Sequence, residues 1–162
     1  MTSENALILR EDILRSFPRT SPPKYGEITV ETTLDGKMIS EAFEGENWWE
    51  ISTEVLEDNY NALPLLTSSA YYYYLPAYLM SALKNLEPHN QLLEFTVYSL
   101  CPTKTAPDDH YYSQRIRRFT ASEKGLIQRF LMLIIEDERL YTLYNDAQRG
   151  LRKFWSGNAI SE

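Results

Sequence analysis

Thr67-Ser68-Ser69-Ala70-Tyr71-Tyr72-Tyr73-Tyr74-Leu75-Pro76-Ala77-Tyr78-Leu79-Met80-Ser81-Ala82-Leu83-Lys84-Asn85 is the stretch that decides the fold. Thr67 can cap a helix, because its hydroxyl accepts from an early backbone N–H that has no partner within the helix. Leu66 and Tyr71 stand at the spacing of a hydrophobic staple around that cap. Tyr72, Leu75, Leu79, Ala82, Leu83 and Leu86 then recur on one helical face. No charge appears before Lys84, and a helix apolar nearly all round is one wrapped by other elements. The run is too short and too rich in tyrosine to cross a bilayer. Pro76 removes a backbone donor and crowds the Tyr72 carbonyl, so the spacing predicts a helix over about 67–85 that is kinked rather than broken. Two roles are open for the freed Tyr72 carbonyl: a bend around the core, which is preferred, or part of a ligand pocket.

Ala62-Leu63-Pro64-Leu65-Leu66-Thr67, with Ala70-Tyr71 and Tyr73-Tyr74-Leu75-Pro76-Ala77-Tyr78-Leu79, resembles the shared segment of a family of small uncharacterised bacterial proteins. That segment has the form Ala-Leu-x-x-Leu/Phe-Thr-x-x-Ala-x-x-Tyr-Tyr-Leu-Pro-Ala-Tyr-Leu. Similar features extend from Asp35 to Leu100 and to the closing Phe154-Trp155. Tyr72 departs from the pattern, which carries a basic or polar residue there. The resemblance implies a helical fold and a bacterial source, and it supplies no mechanism.

The chain has 162 residues, 43% apolar and 13% aromatic, enough for one domain with a real core. A single cysteine excludes an internal disulfide framework and suits a reducing cytosol. The opening Met-Thr-Ser-Glu-Asn has neither the basic region nor the apolar run of a signal peptide. A cytoplasmic protein that does not enter a membrane is expected. The net charge of −7 is unevenly spread: residues 27–58 hold ten acids and one base, whereas residues 104–153 hold ten bases and seven acids. The first segment repels a phosphate backbone, so a nucleic-acid partner is not expected.

Before the central stretch, Glu4 to Phe17 reads as a helix with Leu7, Leu14 and Phe17 on one face. Residues 18–34 read as an extended connector rich in proline. Asp35-Gly36 is a hairpin signal, but Met38, Ile39, Ala42 and Phe43 follow helical spacing, and a helix from Gly36 to Glu44 is preferred. Ser52 caps a helix with Val55, Leu56, Tyr60 and Leu63 inward, ended by Pro64. After the central stretch, a helix runs from His89 or Asn90 to Leu100, with Leu93, Val97 and Leu100 inward. Residues 103–109 read as a polar loop, and 111–119 are ambiguous. Thr120-Ala-Ser-Glu123 is a capping box before Ile127, Phe130, Leu131 and Ile134. Leu140, Tyr144, Ala147, Leu151 and Phe154 continue the helical spacing as far as Gly157. Whether 121–155 is one helix or two is left open. The expectation is an all-α, compact single-domain bundle over 1–162, with six or seven helices around the Pro76 helix.

Motifs that carry chemistry are scarce. The six glycines form no phosphate-cradling loop, and no Cys-x-x-Cys or His-Glu-x-x-His pattern occurs. Cys101 sits at a helix C-terminus, where the dipole disfavours a thiolate. Asp108-Asp109-His110 offers ligand types without further ligands at matched spacing. Glu41, Glu44, Glu50, Glu54, Glu57 and Asp58 read as a solvated helix face rather than an acid–base pair. Arg115, Arg117 and Arg118 interleave with Tyr111, Tyr112 and Phe119; that pattern suits stacking on a single strand, but ion pairing with the acidic segment is preferred. Of the consecutive tyrosines 71–74, at most two fit comfortably in a core. No catalytic residue, metal site or cofactor is expected.

Two functional readings remain. The preferred one is a non-enzymatic protein-binding module, of the kind immunity proteins represent. Its acidic surface of Trp48, Trp49, Glu50, Glu54 and Asp58 would meet a basic partner. The alternative is a small-ligand binder or enzyme with a pocket between helices rimmed by Tyr71, Tyr74 and Tyr78. An obligate oligomer using Trp48, Trp49 or Tyr73 as contacts is a third possibility.

Overall fold

The computed structural model describes residues 2–30, 32–101 and 110–156, excluding the side chains of Thr2, His110 and Tyr111. Eight α-helices occur among them: α1 Thr2–Ser16, α2 Leu34–Phe43, α3 Thr53–Asp58, α4 Ser68–Lys84, α5 Gln91–Leu100, α6 His110–Arg117, α7 Ala121–Glu136 and α8 Tyr144–Lys153. No strand occurs among the described residues, only an antiparallel bridge between Thr29 and Leu66. The fold is all-α and compact. It has more helices than the expected six or seven, because 110–117 forms a full helix and 121–153 divides. The division falls at Asp137, whose extended backbone ends α7 while its carboxylate accepts the Arg139 N–H at 3.0 Å. The expected loop 103–109, the Asp108-Asp109-His110 ligand set and the stop at Gly157 lie outside the described residues.

Local capping accounts for several helix starts. Thr67 accepts from the Ala70 N–H at 3.1 Å, Ser52 from Val55 at 3.3 Å and Asn90 from Leu92 at 3.1 Å. Thr120 and Glu123 form the full reciprocal capping box. α3 ends at Asp58, earlier than Pro64 alone would require. The Asn59 side chain there turns back to donate to the Val55 carbonyl at 2.8 Å, and Leu63 falls in a separate 3-10 turn.

α4 packs against α1, α3, α5 and α6; α7 packs on α1 and α8, and α8 closes against α5. Leu75, Leu79 and Ala82 are fully buried, as are Leu93, Val97 and Leu100 of α5 and Ile127, Phe130, Leu131 and Ile134 of α7. Two faces differ from expectation. In α1 the buried row is Ala6, Leu9 and Ile13, continued by Phe17 just after the helix, and Leu7 is exposed. Tyr144 is exposed at the start of α8, while Ala147 and Phe154 are buried. Gly150 lets α8 approach α5 closely: a Cβ there would overlap the Cys101 sulfur and stand 3.1 Å from its Cβ.

Candidate functional site: a surface on α2 and a cleft beside α4

The tyrosines of α4 act as spokes from the helix to the elements around it. Tyr71 donates to the Ser99 carbonyl at 3.2 Å, Tyr73 to Thr20 at 2.8 Å and Tyr78 to Asn59 at 2.6 Å. Tyr74 lies 2.9 Å from the carbonyls of both Phe43 and Glu46. Tyr72 donates to the Glu123 carboxylate at 2.9 Å. Tyr71, Tyr73 and Tyr74 are buried and Tyr72 is half-buried, so three of the four enter the core rather than two. Each hydroxyl reaches an acceptor on a different neighbour, which removes the penalty that burial would otherwise impose.

Tyr71, Tyr74 and Tyr78, the expected pocket rim, are each at most 1% exposed. Burial also pushes the phenols of Tyr71 and Tyr72 up to about 12, with the Glu123 carboxylate adding to the rise at Tyr72. Tyr74 and Tyr78 are shifted upward by the same loss of solvation. A phenol held neutral so far above neutral pH is a poor general base.

Arg115 is structural too. It is buried, donates to the carbonyls of Leu63, Pro64 and Leu66, and lies 4.8 Å from the Tyr71 ring centroid. The Leu63–Leu66 turn between α3 and α4 presents these carbonyls on one side, that of Leu63 also accepting the Leu66 N–H at 3.3 Å, and the planar guanidinium gathers them. Arg118 donates through Nε to Ser68 Oγ at 2.8 Å. Among the described residues no ion pair joins Arg117 or Arg118 to the acidic segment. Cys101 is buried and its thiol is pushed up to about 12 by burial, so it is not a nucleophile at neutral pH.

The acidic segment divides into two kinds of residue. Glu50, Glu54 and Asp58 are exposed, while Trp49 is half-buried beneath Arg19, whose guanidinium is 6.0 Å from its ring. Trp48 is 2% exposed and donates to the Pro18 carbonyl at 2.9 Å. Its ring meets Phe17 edge to face at 6.3 Å. Trp48 therefore pins the connector to the core and offers no contact to a partner.

Aliphatic residues take the exposed role. Leu34 is 70% exposed and Met38 57%, and Val30 just before α2 is 52% exposed. Leu34 and Met38 are one helical turn apart and adjacent on the helix surface. Gly36, Ile39, Ser40 and Phe43 form the opposite, buried face, against which Thr29 Oγ1 donates to the Gly36 carbonyl at 3.4 Å. Asp35, Lys37 and Glu41 flank the exposed pair. The signal was present in the sequence: α2 carries two apolar stripes, and only one can face inward.

A cleft of about 210 Å³ opens between the 18–27 connector and one face of α4. Phe17, Pro18, Trp48, Tyr72, Tyr73 and Pro76 supply its walls, with Glu27, Ser69 and Arg118 among its polar lining residues. A drug-sized ligand fills roughly 300–1,000 Å³, so this space suits something much smaller. No described helix is long and apolar enough to cross a membrane.

No curated protein and no solved structure matches the chain. A family model does match, over residues 20–159, which takes in the acidic segment, α4 with its tyrosine spokes and the closing Phe154-Trp155. The chain thus belongs to DUF6714, a family of unknown function.

Proposed function

We propose that this protein is a non-enzymatic binding module of the bacterial cytoplasm that docks on a basic protein through α2 and the acidic segment around it. The observation that carries this reading is the exposed Leu34–Met38 pair within the most acidic part of the chain. Large aliphatic side chains held in water on an ordered helix are favoured by what they bury on association. Their acidic surroundings speed encounter with a positive partner and disfavour a second copy of this chain, which would bring the same charge. The buried, hydrogen-bonded tyrosines and the high thiol pKa give no support to an enzyme built on those groups.

The test begins with a photo-crosslinking residue at position 34, and a control at the exposed Tyr141, in protein expressed in its native host. A protein captured from position 34 and not from 141 is then purified, and its association is measured against salt. The reading predicts a basic partner, a loss of affinity of about ten-fold or more for Met38→Asp, and slower association for the Glu50→Lys, Glu54→Lys, Asp58→Lys triple variant with an unchanged melting point. A partner captured equally from both positions, or one indifferent to Met38→Asp, refutes it. An unchanged association rate with a lowered melting point makes the acids internal counter-charges.

A further inference from the structure

We infer that the cleft between the 18–27 connector and α4 binds a free α-amino acid with an apolar side chain. The site is distinct from the α2 surface and does not rest on the function proposed for that surface.

The cleft is built rather than incidental. Its connector wall is tied to the rest of the fold at three points: Trp48 Nε1 donates to Pro18, Tyr73 to Thr20, and Thr67 Oγ1 to the Glu27 carbonyl at 2.7 Å. The opposite wall is the α4 face of Ser69, Tyr72, Tyr73 and Pro76, which share one side by their helical spacing. A space preorganised in this way costs a ligand little ordering of the protein.

The chemistry of the lining selects the ligand. Glu27 and Arg118 both line this small space, both are exposed, and neither is in an ion pair among the described residues. Arg118 is oriented through its Nε by Ser68, which leaves the two terminal nitrogens to meet a carboxylate. Glu27 lines the same space and carries a carboxylate that can take an ammonium group. Pro76 has no N–H, so the Tyr72 carbonyl lacks its regular helical donor, and Tyr72 and Pro76 both line this space. The two opposite charges lining the space, with its aromatic and proline walls, match the ammonium, carboxylate and apolar side chain of one amino acid. The volume of about 210 Å³ suits one such residue and not a nucleotide or a larger cofactor. An internal residue of a peptide carries neither charge, which separates the free amino acid from a peptide segment.

The experiment titrates the full-length protein with each of the twenty L-amino acids, following tryptophan fluorescence, which Trp48 reports from the cleft wall, and heat of binding. One or more apolar amino acids should saturate below millimolar concentration. Their N-acetyl and carboxamide forms should each bind about ten-fold or more weakly, the loss that follows from removing one charged hydrogen-bonded group. Arg118→Gln should weaken the amino acid and leave its carboxamide unaffected; Glu27→Gln should weaken the amino acid and leave its N-acetyl form unaffected. Both substitutions are at exposed side chains, and melting curves run alongside keep misfolding visible. Ser69→Leu, which fills the space, should abolish binding, whereas Met38→Asp should leave it intact. No binding at 10 mM overturns the inference. So does binding that survives capping of both ends, or binding indifferent to Glu27→Gln and Arg118→Gln.

Discussion

Tyr74→Phe should cost more than Tyr71→Phe or Tyr78→Phe, and the acceptors explain why. A phenylalanine keeps the ring and its contact with Phe43, whose centroid is 4.7 Å away, so only the hydroxyl is tested. Tyr78 donates to an Asn59 carbonyl that also receives the Ala62 N–H at 3.1 Å, and the Ser99 carbonyl used by Tyr71 is shared with Tyr112 at 2.8 Å. Removing either hydroxyl leaves the acceptor a second donor. The loss is then the net worth of one hydrogen bond, about 0.5–1.5 kcal/mol. Tyr74 differs. The Phe43 carbonyl retains the Glu46 N–H at 3.0 Å, but the Glu46 carbonyl has no second donor among the described residues. An acceptor left without its donor in a part-buried site costs about 1–3 kcal/mol. For a chain of this length each kcal/mol moves the melting point by about 2–4 °C. Tyr78→Phe should thus lower it by about 1–6 °C, and Tyr74→Phe by about 2–12 °C. Tyr141→Phe, at a residue 75% exposed, should be silent to within about 0.5 kcal/mol. Urea denaturation followed by far-UV circular dichroism gives the free energies, and calorimetry the melting points. If Tyr74→Phe is no more costly than Tyr78→Phe, the argument from orphaned acceptors fails. If all three are silent, the spokes do not hold the fold together.

Leu79→Ala, at a fully buried position of α4, should cost about 2–5 kcal/mol, and an unchanged denaturant midpoint would contradict its place in the core. Gly150→Ala should destabilise by about 1–3 kcal/mol through overlap with Cys101, and Cys101→Ala in the same chain should recover part of the loss, which a double-mutant cycle measures. Spectrophotometric titration should find the α4 phenols protonated beyond pH 10: the fold raises Tyr71 and Tyr72 to about 12, so the stability they lend is whole below about pH 10 and falls as pH climbs towards 12. Normal ionisation of all tyrosines near pH 10 in the folded state would contradict this. Cys101 should resist thiol reagents until the chain unfolds; fast labelling of native protein would mean that α5 and α8 part readily.

What the sequence by itself determined was local. Thr67, Ser52 and the Thr120–Glu123 box start helices through side-chain and backbone groups within three residues of each other. The inward rows read from the spacing of α5 and α7 are buried in the fold. Where a helix had apolar residues on more than one side, the pattern did not choose. In α1 it suggested Leu7 where the fold buries Leu9 and Ile13, and in α2 it could not rank Ile39 and Phe43 against Leu34 and Met38. That choice belongs to the neighbours: α2 turns Ile39 and Phe43 inward, Phe43 onto Tyr74, and leaves the other stripe to solvent. The buried Trp48, the three interior tyrosines among 71–74 and the inserted Arg115 share this character. Each is tolerated in the core because a carbonyl distant in sequence stands where its polar atom arrives. The cleft depends on the same kind of contact, since it exists only where the connector is drawn across α4. Capping and periodicity act within a turn or two of chain, whereas the position of an acceptor 28 or 52 residues away is known only once the chain has packed.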